Sequence, residues 1–271
     1  MENCIRQKYT NILTNNMDSG NYENVLKRMN AISLEEMKDI RLMNRMDYKF
    51  VASLSLLPEL LEAMLPCYKL QVINGSYIAP YSTQYLDTSK LDMFAMHQNG
   101  KLNRQKIRIR SYIDSDLSFL EIKSKNNRGR TNKMRIPVAK SHLTSINELN
   151  SEKLFLDENS LFDSETLNPV LTNNFQRITL VNNRCTERVT IDFNLSFMNY
   201  RTGKKKSIEN LMILELKQGD CSHSDFRDIL SRFRIKPMSF SKYCMGIVWT
   251  DPDIKYNRFK KKWIKINKLI T

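Results

Sequence analysis

In the segment KIRIRSYI (Lys106–Ile113), cationic and apolar residues alternate. A strand sends successive side chains to opposite faces, so Lys106, Arg108 and Arg110 share one side while Ile107 and Ile109 take the other. FLEIKSK (Phe119–Lys125) repeats the arrangement, with Glu121, Lys123 and Lys125 opposite Leu120 and Ile122, and KMRIPV (Lys133–Val138) adds Lys133 and Arg135. Further strands are predicted at Thr83–Thr88, Gln176–Asn183, Glu187–Phe197 and Leu211–Gln218. They group Arg177 with Thr179, Arg188 with Thr190 and Asp192, and Glu215 with Lys217. NRMDYKF places Arg45, Asp47 and Lys49 on one face. Such alternation ordinarily marks a half-buried sheet with one solvated side. Six strands that all bring cations to the patterned face strain that explanation, because like charges opposite one another repel. If the sheet curls into a closed barrel with these faces inward, its lumen presents fixed cations to a polyanion.

Composition agrees with an anionic partner: 43 Lys and Arg against 29 Asp and Glu leave a net charge of +14. Only 7 Gly and 7 Pro among 271 residues argue against a fibrous or low-complexity chain. No apolar run approaches the roughly 20 residues needed to span a bilayer, and the N-terminus has no apolar signal core, so a cytoplasmic protein is expected. Cys4, Cys67, Cys185, Cys221 and Cys244 are odd in number and form no C-x-x-C pair, which points to free thiols. His97, His142 and His223 are scattered, and Cys221 with His223 is too little for a metal site.

Helices are predicted in the lead-in, where Ser33 caps a segment running toward Ile40, and at Pro58–Leu65 and Lys90–His97. Ser222 with Asp225 reads as a capping box that opens a helix to about Phe233. Residues 139–172 are acidic and helix-rich. Asn74-Gly75 between LQVI and SYIA reads as a hairpin turn. FKKKWIKINKLI forms a basic helix with Trp263, Ile266 and Leu269 on one side. The ordinary role of that tail is to cap the domain; the functional one is to guide a product polyanion or touch an anionic membrane surface. The fold class expected is α+β: an antiparallel β-barrel tunnel of about eight strands with a basic lumen, flanked by helices.

The ordered motifs carry a resemblance. They are R-x-D-x-K-F (Arg45–Phe50), Y-x-T-x-Y-x-D-T (Tyr81–Thr88), H-x-N-G (His97–Gly100), K-I-R-I-R-x-Y (Lys106–Tyr112) and F-L-E-I-K (Phe119–Lys123). They continue with G-R-T-x-K-x-R (Gly129–Arg135), R-V-T-I-D-x-x-L-x-F (Arg188–Phe197), L-E-L-K (Leu214–Lys217) and F-S-K-Y-x-x-G (Phe240–Gly246). In order and spacing they resemble the VTC domain, the catalytic module of the vacuolar transporter chaperone complex. It is found also in bacterial polyphosphate polymerase domain proteins of the triphosphate tunnel metalloenzyme superfamily. The resemblance divides the chain into a helical lead-in (1–42), a VTC-like triphosphate tunnel domain (43–250) and a basic C-terminal helix (251–271).

What the resemblance implies is transfer of the γ-phosphate of ATP, or another nucleoside triphosphate, to a growing inorganic polyphosphate, releasing ADP. Arg108, Arg110, Lys242 and Glu215 carry over as the catalytic set, with Glu215 also holding a divalent metal, Mn2+ or Mg2+. Lys49, Lys123, Lys133, Arg135, Arg177, Arg188 and Lys217 carry over as phosphate-binding residues. Tyr85 and Asp87 would orient neighbouring arginines. No nucleic acid is expected, since no aromatic stacking platform is apparent on the strands; a membrane-associated partner protein is a further expectation. Hydrolytic relatives open with Glu-x-Glu-x-Lys where this chain has Arg45-x-Asp47-x-Lys49. Loss of a carboxylate favours chain retention over water activation, while Asp47 keeps open an inorganic tripolyphosphatase or nucleoside triphosphatase. A non-catalytic polyphosphate-binding module is the third reading.

Overall fold

A computed structural model describes residues 19–40, 46–127, 131–139, 150–219 and 223–270. Cys4, Arg45, Gly129, His142, Cys221 and Ser222 lie outside them. The described helices are α1 (Ser19–Arg28), α2 (Leu34–Asp39), α3 (Leu57–Met64), α4 (Asp92–Gln98), α5 (Asn150–Asn159), α6 (Asp225–Arg232), α7 (Lys242–Thr250) and α8 (Asn257–Ile270). The strands are β1 (Asn30–Ile32), β2 (Met46–Ser53), β3 (Tyr68–Gln71), β4 (Ala79–Asp87), β5 (Arg104–Tyr112), β6 (Leu117–Lys125), β7 (Thr131–Pro137), β8 (Asn168–Asn182), β9 (Glu187–Asn199), β10 (Lys205–Ile208) and β11 (Leu211–Gln218).

Eight of these strands form one antiparallel path, β2-β11-β9-β8-β4-β5-β6-β7. Among the described residues β7 and β2 are not hydrogen-bonded to each other, so the tunnel is a curled sheet. Both halves of its convex face bury alternate residues. Phe50, Ile178, Leu180, Val189, Ile191, Leu214 and Leu216 pack under α1, α3 and α6. Ile107, Ile109, Leu120 and Ile122 pack against Leu156 of α5. The cationic residues therefore face the concave side.

One bulge decides what fills that side. Asn194, at φ 51°, interrupts the β8–β9 register, so that Phe193 joins the convex core while Leu195 and Phe197 join the cluster beneath α7. Asn tolerates the left-handed backbone better than most side chains, which makes the switch of face affordable at this position. α7 then lies close against the inner wall: a Cβ added to Gly246 would stand 2.5 Å from Leu171 Cδ2 and 2.6 Å from Phe197 Cδ1. One part of the interior is thus apolar and filled, and the other is charged.

Three local expectations need correction. Asn74 and Gly75 do form the tight turn, at φ 49° and 77°, but only Ile73 and Ser76 bridge across it. β3 goes on to pair with β8 and β1, and β4 with β5 and β8. The cap of α6 is Ser224, whose hydroxyl accepts from the Arg227 N–H. Among the described residues Asp87 orients no arginine; it accepts the N–H groups of Thr88, Met93 and Phe94 and the Tyr243 hydroxyl, and so fixes the start of α4. The Ser33–Glu36 capping box of α2 forms as expected.

Candidate functional site

Strand register arranges the patterned side chains in rows. On one half, Lys49 stands opposite Glu215, Glu215 opposite Thr190, and Thr190 opposite Thr179. On the other, Lys106, Lys123 and Lys133 stand side by side on β5, β6 and β7, next to a row of Arg108, Glu121 and Arg135. These halves come from opposite ends of the strand path, yet they share one electrostatic space. Burial, then Arg108 and Arg110, push the Lys123 ammonium down to about 6; Glu215 from across the lumen opposes this and Lys49 adds to it. A flat sheet would keep those groups apart.

Each lumenal carboxylate is held by cations. Arg108 donates to Glu121 Oε2 from Nε at 2.8 Å and from Nη2 at 2.6 Å, and Lys133 pairs with Oε1. Burial disfavours ionised Glu121, but Arg108, Arg110 and Lys133 outweigh it and bring its pKa to about 2. Arg177 grips Asp192 through Nε at 2.5 Å and Nη2 at 2.8 Å, and Lys242 donates to the same carboxylate. Lys49 Nζ lies 3.2 Å from Glu215 Oε1. Burial opposes ionisation of Glu215 too, and Lys49, Lys217 and Arg177 hold its pKa well below the carboxylate range.

The cations outnumber these carboxylates. Among the described residues Arg110 Nε has no hydrogen-bond partner, and no carboxylate lies within ion-pair distance of Lys123. Burial and the neighbouring Arg108 and Arg177 lower Arg110 to about 10. Lys242, 12% exposed at its side chain, falls to about 7 because burial and Arg177 outweigh the help from Asp192. The hydroxyl of Thr190, 3% exposed, is also unpartnered. A set of cations whose charge is disfavoured by its surroundings, beside unused donors, is built to receive an anion.

The sequence reading missed two supports. One is an aromatic belt on the same face: Tyr81 stacks on Phe175 with centroids 5.2 Å apart and meets Tyr112 at 5.1 Å, which touches Phe119. Arg177 lies 4.9 Å from the Tyr81 centroid, Lys242 3.9 Å from Phe175 and Arg135 4.6 Å from Phe119. Strand parity could have found it, since Tyr81 lies two residues before Thr83 and four before Tyr85, and Phe175 two before Arg177. The other is the start of α7, where the Ser241 hydroxyl accepts from the Cys244 N–H and from Lys106 Nζ at 2.8 Å. The positive end of that helix therefore joins Lys106 and Lys242.

Arg188 and Lys217 lie at one end of the lumen, opposite each other in register. Arg188 Nη2 donates to the Met37 carbonyl of α2 at 2.9 Å, so α2 covers this end, with Met37 and Ile32 packed on Val181. Tyr85 stands opposite Arg108 in the β4–β5 register. His97 Nδ1 lies 3.0 Å from Cys244 Sγ.

For a divalent metal, Glu215 is a single carboxylate, and among the described residues no group of three His, Cys, Asp or Glu could enclose an ion. That donor set fits a hard cation that arrives with a phosphate chain and keeps most of its ligands from phosphate oxygens and water. It does not fit a resident, protein-caged ion.

Fold and site together define a curled antiparallel sheet with a basic interior. A family model describing the VTC domain matches residues 44–250, and the chain belongs to that family. Among solved structures it is similar to a candidate adenylate cyclase from Vibrio parahaemolyticus, at 9% identity over 74% of this chain and 97% of that one, with a TM-score of 0.43. It is also similar to a candidate adenylyl cyclase from Hippeastrum, described as having a dominant triphosphatase activity, at 12% identity over 76% and 97%, with a TM-score of 0.43. A Pyrococcus horikoshii protein matches at 9% identity over 75% and 98%, with a TM-score of 0.40. No curated protein sequence matches the chain. No helix among the described residues is long and apolar enough to cross a membrane.

Proposed function

We propose that the protein is a polyphosphate polymerase that transfers the γ-phosphate of ATP to the end of a polyphosphate chain inside the tunnel and releases ADP. The observation that carries this reading is the row of Lys106, Lys123 and Lys133 beside Arg110, whose Nε has no hydrogen-bond partner among the described residues. Three lysines side by side on one sheet face cannot all hold a proton without repelling one another, and a chain of phosphates would relieve that repulsion and let all three be charged.

The attacking group is a terminal phosphate oxygen, already anionic, so no side chain has to remove a proton. The protein's work is to hold attacking and leaving oxygens in line and to offset charge on the transferring group. Arg108 is anchored by Glu121, and Arg177 and Lys242 by Asp192, so these donors are oriented before substrate arrives. Arg110, held over the Tyr81 ring with no hydrogen bond at Nε, and Lys123, with no carboxylate within ion-pair distance among the described residues, would turn to phosphate oxygens. Lys49, Lys133 and Arg135 line the approach, and Arg188 and Lys217 the end covered by α2. Glu215 would hold a Mn2+ or Mg2+ ion that comes in with the triphosphate, and the ion would supply Lewis-acid neutralisation of phosphate oxygens. The lead-in 1–42, tunnel domain 43–250 and basic tail 251–271 are the working divisions of this proposal.

Incubation with ATP and manganese followed by phosphorus NMR tests the assignment. Long-chain phosphate with ADP supports it. Release of orthophosphate alone makes the protein a tripolyphosphatase or nucleoside triphosphatase, and tight tripolyphosphate binding without turnover makes it a binding module.

A further inference from the structure

Beyond the lumen, four cations converge at the mouth where α7 begins. Lys106 Nζ donates to Ser241 Oγ, and Lys262 of α8 donates to Ser239 Oγ, so two ammonium groups from different elements are tethered two residues apart on one loop. Arg258 of α8 lies over Gly100: a Cβ added there would stand 2.5 Å from its Nη1. Arg104 of β5 is steered by a 2.7 Å hydrogen bond from Nη1 to the Lys101 carbonyl. Among the described residues no carboxylate lies within ion-pair distance of any of the four. Their field is felt at His97, the half-buried ring beside them. Burial, then Lys106, Arg104, Lys262 and Arg258, depress His97 to about 3.

This cluster is continuous with the lumen. Lys106 belongs to the row with Lys123 and Lys133, and Ser241 is followed by Lys242, which reaches Asp192. Arg258 and Lys262 are one helical turn apart, so they lie on one face of α8. A chain of phosphates leaving the Lys106 row meets these two cations next, whereas a triphosphate confined to the lumen does not need them.

We propose that Arg258 and Lys262 of α8, with Arg104, form a distal subsite for inorganic polyphosphate, holding the part of a long chain that extends past the triphosphate position. The inference rests on the tunnel reading and adds to it a preference for chain length.

The test compares dissociation constants of the full chain and of R258Q/K262Q for tripolyphosphate and for long-chain polyphosphate, without nucleotide. Loss of two phosphate contacts is expected to weaken the long chain by about tenfold or more and to leave tripolyphosphate within about twofold. The charge-conserving R258K/K262R is expected to retain long-chain affinity, which separates charge from packing over Gly100. Equal losses for both ligands, or no loss for either, overturn the subsite and leave the tunnel standing. A wild-type protein that binds neither ligand overturns the tunnel reading as well. An RNA oligonucleotide that depends on Arg258 and Lys262 when polyphosphate does not assigns the surface to nucleic acid and overturns the proposal.

Discussion

Binding of a phosphate chain is expected to draw protons from solution. In the empty tunnel Lys123 titrates at about 6 and Lys242 at about 7, chiefly because both are buried among other cations. At pH 8 both are mostly neutral. A phosphate chain replaces lost solvation with negative charge and restores each lysine toward its ordinary range, so uptake approaches about two protons per chain bound. Affinity then falls with rising pH, by up to about 100-fold per unit between pH 8 and 9. The measurement is isothermal titration calorimetry of tripolyphosphate in buffers of different ionisation enthalpy, where the slope of observed against buffer enthalpy gives the proton number. Lys123→Met is expected to lower that number by about one. An observed enthalpy that does not change between buffers would refute the charge placement, whatever the affinity. The unliganded protein supplies an independent check. Between about 6 and the ordinary lysine range the unfolded chain holds a proton at Lys123 that the native state lacks, so this group makes stability rise with pH across that window.

Glu215→Gln is expected to lower metal-dependent turnover by about 10²-fold or more while tightening metal-free tripolyphosphate binding, since it removes a lumenal negative charge; equal turnover in the two proteins would unseat Glu215. Glu121→Gln leaves Arg108 and Lys133 without their shared counterion at a site of no solvent exposure, and a loss of about 3–5 kcal/mol in denaturant unfolding is expected, partly recovered by tripolyphosphate. Gly246→Ala drives a methyl into Leu171 and Phe197, and a cost of about 1–3 kcal/mol should appear as a lowered melting temperature; an unchanged one would mean α7 is not fixed against the wall.

Alternation alone made the lumen face legible, because the period of two that puts Lys106, Arg108 and Arg110 together is a local property of a strand. Leu211–Gln218 appears in the structure with the limits read from sequence. What alternation could not supply was anything that depends on a partner strand. The Asn194 bulge reverses the facing of Leu195 and Phe197 and is visible only against β8. β10 is too short and polar to announce itself, and β8 begins at Asn168, eight residues before its patterned part. Lys106, Lys123 and Lys133 stand side by side as the alternation places them, yet pairing is not legible in sequence: nothing in a linear pattern tells that Glu121 is shared by Arg108 and Lys133 while Arg110 Nε has no partner among the described residues. Asp87 failed as an orienting residue because its carboxylate serves the backbone of α4.

The doubly gripped carboxylates Glu121 and Asp192 act as counterions that the tunnel carries with it. On the proposed function, a phosphate reaching Arg108 or Lys242 would exchange places with a side chain already there, so each station along the wall would hold its guest with moderate strength. Moderate, repeated holding is what lets ions pass through narrow pores without becoming trapped. The same interior salt would let a long polymer creep forward one unit at a time, lubricated by the protein's own acids.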